Sequence, residues 1–152
     1  DGLLPDLSVR RGERGQALVE FALILPVTLM LFVGIFDVAR IVFASTTLSS
    51  AVREGTRYAV VHGAASSAPT GPGAASYTAP STDTTITAVV QAAAIGVSAP
   101  AVTAVWTSND ANRGSDVVVT ATYPFVPILS TAFLGGALRV PLSASSALAI
   151  QQ

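Results

Sequence analysis

Few side chains in this chain can do chemistry. It has no Cys, its eight basic residues are all Arg, and His62 is its one histidine. Without Cys there are no thiolate nucleophiles, disulfides or zinc-thiolate sites. Without Lys there is no Schiff-base or P-loop chemistry. A Ser–His–Asp relay would have to use His62, and nothing in the spacing brings a serine and a carboxylate to it. His62 follows a long helical pattern, where a histidine completes a helix C-terminus. Asp110, Asn112 and Asp116 fall in one hairpin loop; they could hold Ca²⁺, but the EF-hand pattern is missing and turns favour these residues for their own reasons. No catalytic, cofactor-binding or metal residue is therefore assigned, and no cofactor is expected. The remaining candidates are charges set along one apolar segment: Glu20, Asp37 with Arg40, Glu54 with Arg57, and Arg53. Asp37–Arg40 and Glu54–Arg57 are each three apart, a spacing that allows pairing on one helix face.

These charges stand out because there are so few others. Of 152 residues only 11% are charged, against 51% hydrophobic, where a soluble domain carries roughly a quarter charged residues. The net charge of −1 and the lack of a basic block after Arg14 argue against nucleic-acid binding. Between Glu20 and Asp37 lies a charge-free run, Phe21 to Phe36. Its sixteen residues span about 24 Å as a helix, so Ala17–Glu20 must complete a hydrocarbon core of about 30 Å. From Leu18 to Phe36 there are thirteen Leu, Ile, Val or Phe, together contributing about −4 to −8 kcal/mol to insertion. One carboxylate at the edge costs less than the roughly 2.5–3.5 kcal/mol of a midplane charge, so insertion wins. A signal peptide would have a shorter apolar core followed by a small-residue cleavage site; here Asp37–Arg40 and more helical pattern follow. Arg10, Arg11 and Arg14 precede the span, which puts the N-terminus in the cytoplasm and the rest outside. Pro26 is expected to kink the helix, and Gly34 allows close approach of a neighbour.

Beyond the span, Val38, Ile41, Val42, Ser45, Leu48, Val52, Ala59 and Val60 keep to one stripe, so one helix from about Gln16 to Val61 is expected. Residues 64–81, rich in Ala, Ser, Gly, Pro and Thr, read as a flexible loop. Ser81, Thr82 or Asp83 caps a short helix with Ile86, Val89, Val90 and Ala93 on its apolar side and Gly96 at its end. Val102–Thr107 and Val117–Phe125 read as strands joined by a polar turn. Ile128 to Gly136 reads as an irregular apolar stretch. A third strand alternates through Leu138, Val140, Leu142, Ala144, Leu148 and Ile150, and Pro141 makes it an edge strand or marks a bulge. The expected fold is α+β: a long N-terminal transmembrane helix continues outside the membrane and packs against a small antiparallel sheet head with one short helix. The organisation is a leader or tail at 1–15, a transmembrane helix at 16–44 and a head at 45–152. Trp106 and Tyr123 are expected to pack the head; Tyr58 and Tyr77 could face partners.

The order of these parts is specific. Arg11-Gly-Glu-Arg-Gly15 is followed by Gln16-Ala-Leu-Val-Glu20-Phe-Ala-Leu-Ile-Leu-Pro26. After the apolar run come Phe36-Asp-Val-Ala-Arg40 and Ala51-Val-Arg-Glu-Gly-Thr-Arg-Tyr-Ala59. This resembles the TadE-like pseudopilins of the tight-adherence (Flp pilus) system, and Val117–Phe125 and Gly135-Gly136 look similar too. The resemblance implies a pilin-like protein of the bacterial inner membrane, with a periplasmic head, that helps build or anchor a pilus. It also implies cleavage by a prepilin peptidase between Gly15 and Gln16, leaving Glu20 fifth in the new chain. A fresh α-amino cation near lipid is costly alone, and a neighbouring subunit's Glu20 would neutralise it; the simpler alternative is that Glu20 reaches the headgroups.

Two functions follow. One is a non-catalytic minor pseudopilin in pilus assembly, processed at Gly15. The other is a scaffold subunit of a large membrane complex, photosynthetic or respiratory for instance, that keeps residues 1–15 and so has no free amine at Gln16. The first residue is Asp1 rather than Met, so residues upstream are expected. The expected partners are other spanning subunits or pseudopilins along residues 18–36, proteins bound by the head, and the lipid bilayer. Glu20, Pro26, Asp37, Arg40, Arg53 and Arg57 are the expected assembly residues; for Arg53 and Arg57 a solvated helix face is the plainer alternative.

Overall fold

The computed structural model describes residues 7–71 and 84–151. A single helix, α1, runs from Leu7 to Val61, about 82 Å at the helical rise. It begins nine residues before the expected Gln16 and continues through Pro26 without a break in assignment. After it come α2 (Thr84–Ala93), β1 (Ala101–Trp106), β2 (Asp116–Phe125), α3 (Ile128–Leu134) and β3 (Val140–Ala149). The strands form one antiparallel sheet in the order β1-β2-β3, as the alternation and the turn residues implied. This is the α+β, pilin-like arrangement expected: a long apolar helix, a small antiparallel sheet and short helices. The caps proposed for α2 and residues 72–81 of the loop lie outside the described residues.

The two halves of α1 meet different surroundings. From Leu18 to Phe43 its large apolar side chains are exposed, with Val33 and Ile41 half-buried. From Ala44 onward one face is buried. That face keeps Leu48, Val52 and Ala59 of the expected stripe, but Val38 and Val42 remain exposed. Ala44, Leu48, Ala51, Val52 and Ala59 pack with Ile86 and Val90 of α2 and with Val117, Val119, Ala121 and Phe125 of β2. The reason is packing distance: small residues at Ala44, Ala51 and Gly55 admit neighbouring layers closely, which a Val there would not. A Cβ on Gly55 would overlap a methyl of Val90, so this glycine sets the contact between α1 and α2. Thr56, also buried, donates from Oγ1 to Val52 O at 2.8 Å and to Ser146 O of β3 at 3.5 Å. Full burial of Leu48, Ile86 and Val117 stabilises the head by about 1.5–3 kcal/mol each.

In the sheet, Val117, Val119, Ala121 and Phe125 face the core, as their alternation required. β3 is an edge strand, and its Pro141 lies opposite Pro124 of β2. Both prolines lie beyond Thr122, the last β2 residue paired with β1, where the sheet is two strands wide. A residue without an N–H is tolerated at such positions. Trp106 is buried and packs against the backbone of Gly71, where a Cβ would come within 2.6 Å of the indole. Residues 64–71 are fastened to the head: Ala64 N–H donates to Ala111 O at 2.9 Å, and Thr70 N–H to His62 O at 2.8 Å. His62 sits at the end of α1, stacked on Tyr58 with ring centroids 3.9 Å apart. Its Nδ1–H donates to Tyr58 O at 2.9 Å.

The stretch expected to be irregular contains α3. Pro127 is its N-cap in extended backbone, and Gly135 closes it in the left-handed conformation at φ 59°. Gly136 N–H returns to Ser130 O at 3.0 Å, a common glycine-dependent helix ending. Pro127 has no side chain that could cap the first turn, so local sequence shows a helix with an unsatisfied start. The cap comes from elsewhere in the chain.

Candidate functional site

That cap is Asp37. Its two carboxylate oxygens accept the N–H groups of Ile128 and Leu129, Oδ1 at 2.9 Å and Oδ2 at 3.0 Å. Arg40, one turn further along α1, donates from Nη1 to Oδ1 at 3.1 Å. The Arg40 guanidinium also lies 5.0 Å from the centroid of the Phe125 ring, within cation–π range. The Asp37 side chain is 8% exposed and that of Arg40 48%. So the carboxylate is enclosed and held by three donors, while the arginine stays half in solvent. The arrangement fastens the β2–β3 connection to α1 where the exposed apolar stretch gives way to the buried one.

Each contribution has a local cause. The i, i+3 spacing brings Asp37 and Arg40 to one face of α1. Carboxylates are favoured at a helix start, where free N–H groups and the helix dipole both attract negative charge. Phe125 ends β2 facing the core, and Pro127 turns the chain so that the first turn of α3 meets Asp37.

The other predicted residues are not gathered here. Glu20 lies seventeen positions before Asp37, about 26 Å along the helix, and is exposed, as are Gly15 and Gln16. Arg53 and Arg57 are exposed on the head half of α1. Arg57 lies 3.8 Å from Glu54, an exposed pair worth about 0–1 kcal/mol. Pro26 lines an apolar groove of about 290 Å³ between α1 and α3, with Leu29, Met30, Val33, Ile128, Leu129, Ala132 and Phe133. In the β1–β2 hairpin, Asp110 Oδ1 accepts from the Ser115 hydroxyl and from Asn112 N–H. This bonding holds the Asp110 carboxyl below its ordinary value of 3.8, the Ser115 hydrogen bond being the main cause. Asp110 is thus used within its turn, and among the described residues no cluster of His, Cys, Asp or Glu could hold a metal ion.

Sequence reasoning found Asp37 and Arg40 but missed their partners. Phe125 was assigned to the core face, and the amides of Ile128 and Leu129 carry no side-chain signature. The one available signal was Pro127 before an apolar run closed by Gly135-Gly136, a start and stop consistent with a short helix.

Among the described residues one helix is long and apolar enough to cross a membrane, and joined to a small sheet head it gives a pilin-like arrangement. The family model described as TadE-like protein matches residues 15–57. That segment runs from Gly15 to Arg57, within α1, and holds every processing and assembly residue predicted above. The resemblance read from the sequence is thereby shown for this part of the chain. No curated protein and no solved structure matches it.

Proposed function

We propose that this protein is a non-catalytic minor pseudopilin of a tight-adherence pilus system, anchored in a bacterial inner membrane with its head on the periplasmic side. The observation that carries the reading is the position of Glu20. It is exposed near the start of an apolar helix, five residues after Gly15, where the family match begins. Cleavage after Gly15 would place a new amine on Gln16, and Glu20 of a neighbouring subunit would offset its charge in a medium that stabilises neither alone. The exposed apolar side chains between Leu18 and Phe43 supply the lateral contacts, and the arginines before the span set the topology.

Intact mass of the protein purified from a cell that carries its own assembly machinery tests this. The expected product starts at Gln16. A chain that still carries residues before Gly15, in a cell whose peptidase processes other substrates, refutes assembly by this route. One observation favours the alternative of a retained scaffold subunit: α1 continues as helix across the Gly15–Gln16 bond, so that bond must unwind before it can be cut. Under that reading the full-length chain co-purifies with other spanning subunits after mild detergent extraction.

A further inference from the structure

The connection between β2 and β3 hangs below the head. Phe125 pairs with Val140 at the end of the sheet, and the residues between them form a finger that contains α3. The finger meets α1 at two levels: Asp37 holds its first turn, and its residues Ile128, Leu129, Ala132 and Phe133 line an open apolar groove together with Pro26, Leu29, Met30 and Val33 of α1. Those α1 residues precede Asp37 by four to eleven positions, so the finger lies about 6–17 Å further along the span. If a hydrocarbon core of about 30 Å starts at Ala17, it ends near Asp37. The whole of α3 then lies below that boundary.

We propose that this finger, Val126 to Leu138, is a second membrane-inserted element that sits in the outer leaflet against α1. The inference rests on the reading of α1 as membrane-spanning. Three observations choose lipid as the occupant of its outer surface. First, the segment from Pro124 to Leu138 has no charged residue, and Arg139 stands at its exit. Second, its exposed side chains are large and apolar: Ile128 is 45% exposed, Phe133 64%, Leu134 60% and Leu138 54%. They continue the exposed apolar surface of α1 at the same level. Third, its polar groups are largely satisfied from within, as hydrocarbon requires. Asp37 takes the first two amides, Gly136 N–H and Ala137 N–H return to the helix, and the Ser130 hydroxyl accepts from Leu138 N–H at 3.0 Å and donates to Leu138 O at 3.2 Å. The Thr131 hydroxyl donates to Pro127 O at 3.2 Å.

Because the chain has no cysteine, single labels can be placed without background. Phe133→Cys, Leu31→Cys and Arg113→Cys, each carrying bimane, would be reconstituted as full-length protein into phosphatidylcholine–phosphatidylglycerol vesicles. Quenching by nitroxides at set depths in the acyl chains is then compared with quenching by aqueous iodide. Leu31 reports the span and Arg113 the exposed hairpin. The expected result places the label at 133 about 5–10 Å below the headgroup boundary, protected from iodide like that at 31. Iodide access at 133 with Leu31 buried in lipid overturns the inference and leaves the span intact. A label at 133 reached by neither quencher means that protein covers the finger, and also overturns it. Iodide access at Leu31 instead refutes the membrane reading itself. Leu134→Cys, also exposed, provides a second reading if the Phe133 variant misfolds.

Discussion

Removing the Asp37 carboxylate tests how the head is tied to α1. In Asp37→Ala the amides of Ile128 and Leu129 lose acceptors at 2.9 and 3.0 Å, and Arg40 loses its partner at 3.1 Å. Loss of a side-chain N-cap costs about 0.5–2 kcal/mol. The half-exposed Arg40 pair adds about 0–1 kcal/mol. A total of about 0.5–3 kcal/mol corresponds to a change of about 2- to 150-fold in an equilibrium constant. The loss should be local, because α3 can detach while the sheet stays paired to the rest of α1. Hydrogen exchange of the detergent-solubilised protein, followed by mass spectrometry, reads this directly. Peptides covering 126–139 should exchange faster by that factor, while those covering β1 and the centre of β2 keep the wild-type rate. Asp37→Asn retains one neutral acceptor and should fall between the two. Unchanged exchange over 126–139 would refute the clamp, and equal acceleration throughout the head would show that Asp37 supports the core rather than the finger.

Three further outcomes are expected. Gly71→Ala places a methyl against the Trp106 ring at a φ of 139°; it should destabilise the head by about 1–3 kcal/mol and shift the emission of the chain's single tryptophan to the red. Gly55→Ala gains about 1 kcal/mol of helix propensity but overlaps Val90, so Val90→Ala should be less damaging in its presence than alone, as a double-mutant cycle of thermal unfolding would measure. The Asp110 carboxyl is lowered in the folded chain, so its contribution to stability is present above its ordinary 3.8 and is lost as pH falls through the lowered folded value. Asp110→Asn should flatten that acid limb in melting temperatures recorded from about pH 5 downward.

The elements were legible where their causes are local. Period-two alternation in Val117–Phe125 and around Leu142–Ala144 specified strands and their inner faces, and Pro141 specified an edge. The end of α1 at Val61 followed from the helical pattern, whereas its start at Leu7, nine residues before Gln16, did not. The inner face of its outer half was legible at Leu48, Val52 and Ala59 but not at Val38 and Val42, which share the stripe and are exposed. Burial also follows Ala44, Ala51 and Gly55, whose small size matters only once the sheet and α2 lie over them. α3 was missed for a similar reason: its cap stands 91 residues away, and no window of sequence holds both partners. Asp37 and Arg40 were recognised as a pair, but what they hold became visible only in three dimensions.

The long-range contacts of α1 also order events in time. The helix is made first, yet its buried face meets its earliest partners only at Ile86 and Val90 and its last only when the chain has reached Ser146 and Ile150. The bond from Thr56 to Ser146 spans 90 residues and the clamp at Asp37 spans 91. Contacts so far apart in sequence form late and slowly. Insertion would therefore fix α1 while Leu48, Val52 and Ala59 still lack their cover. During that interval the nascent head presents an open apolar seam, exposed until the third strand closes it.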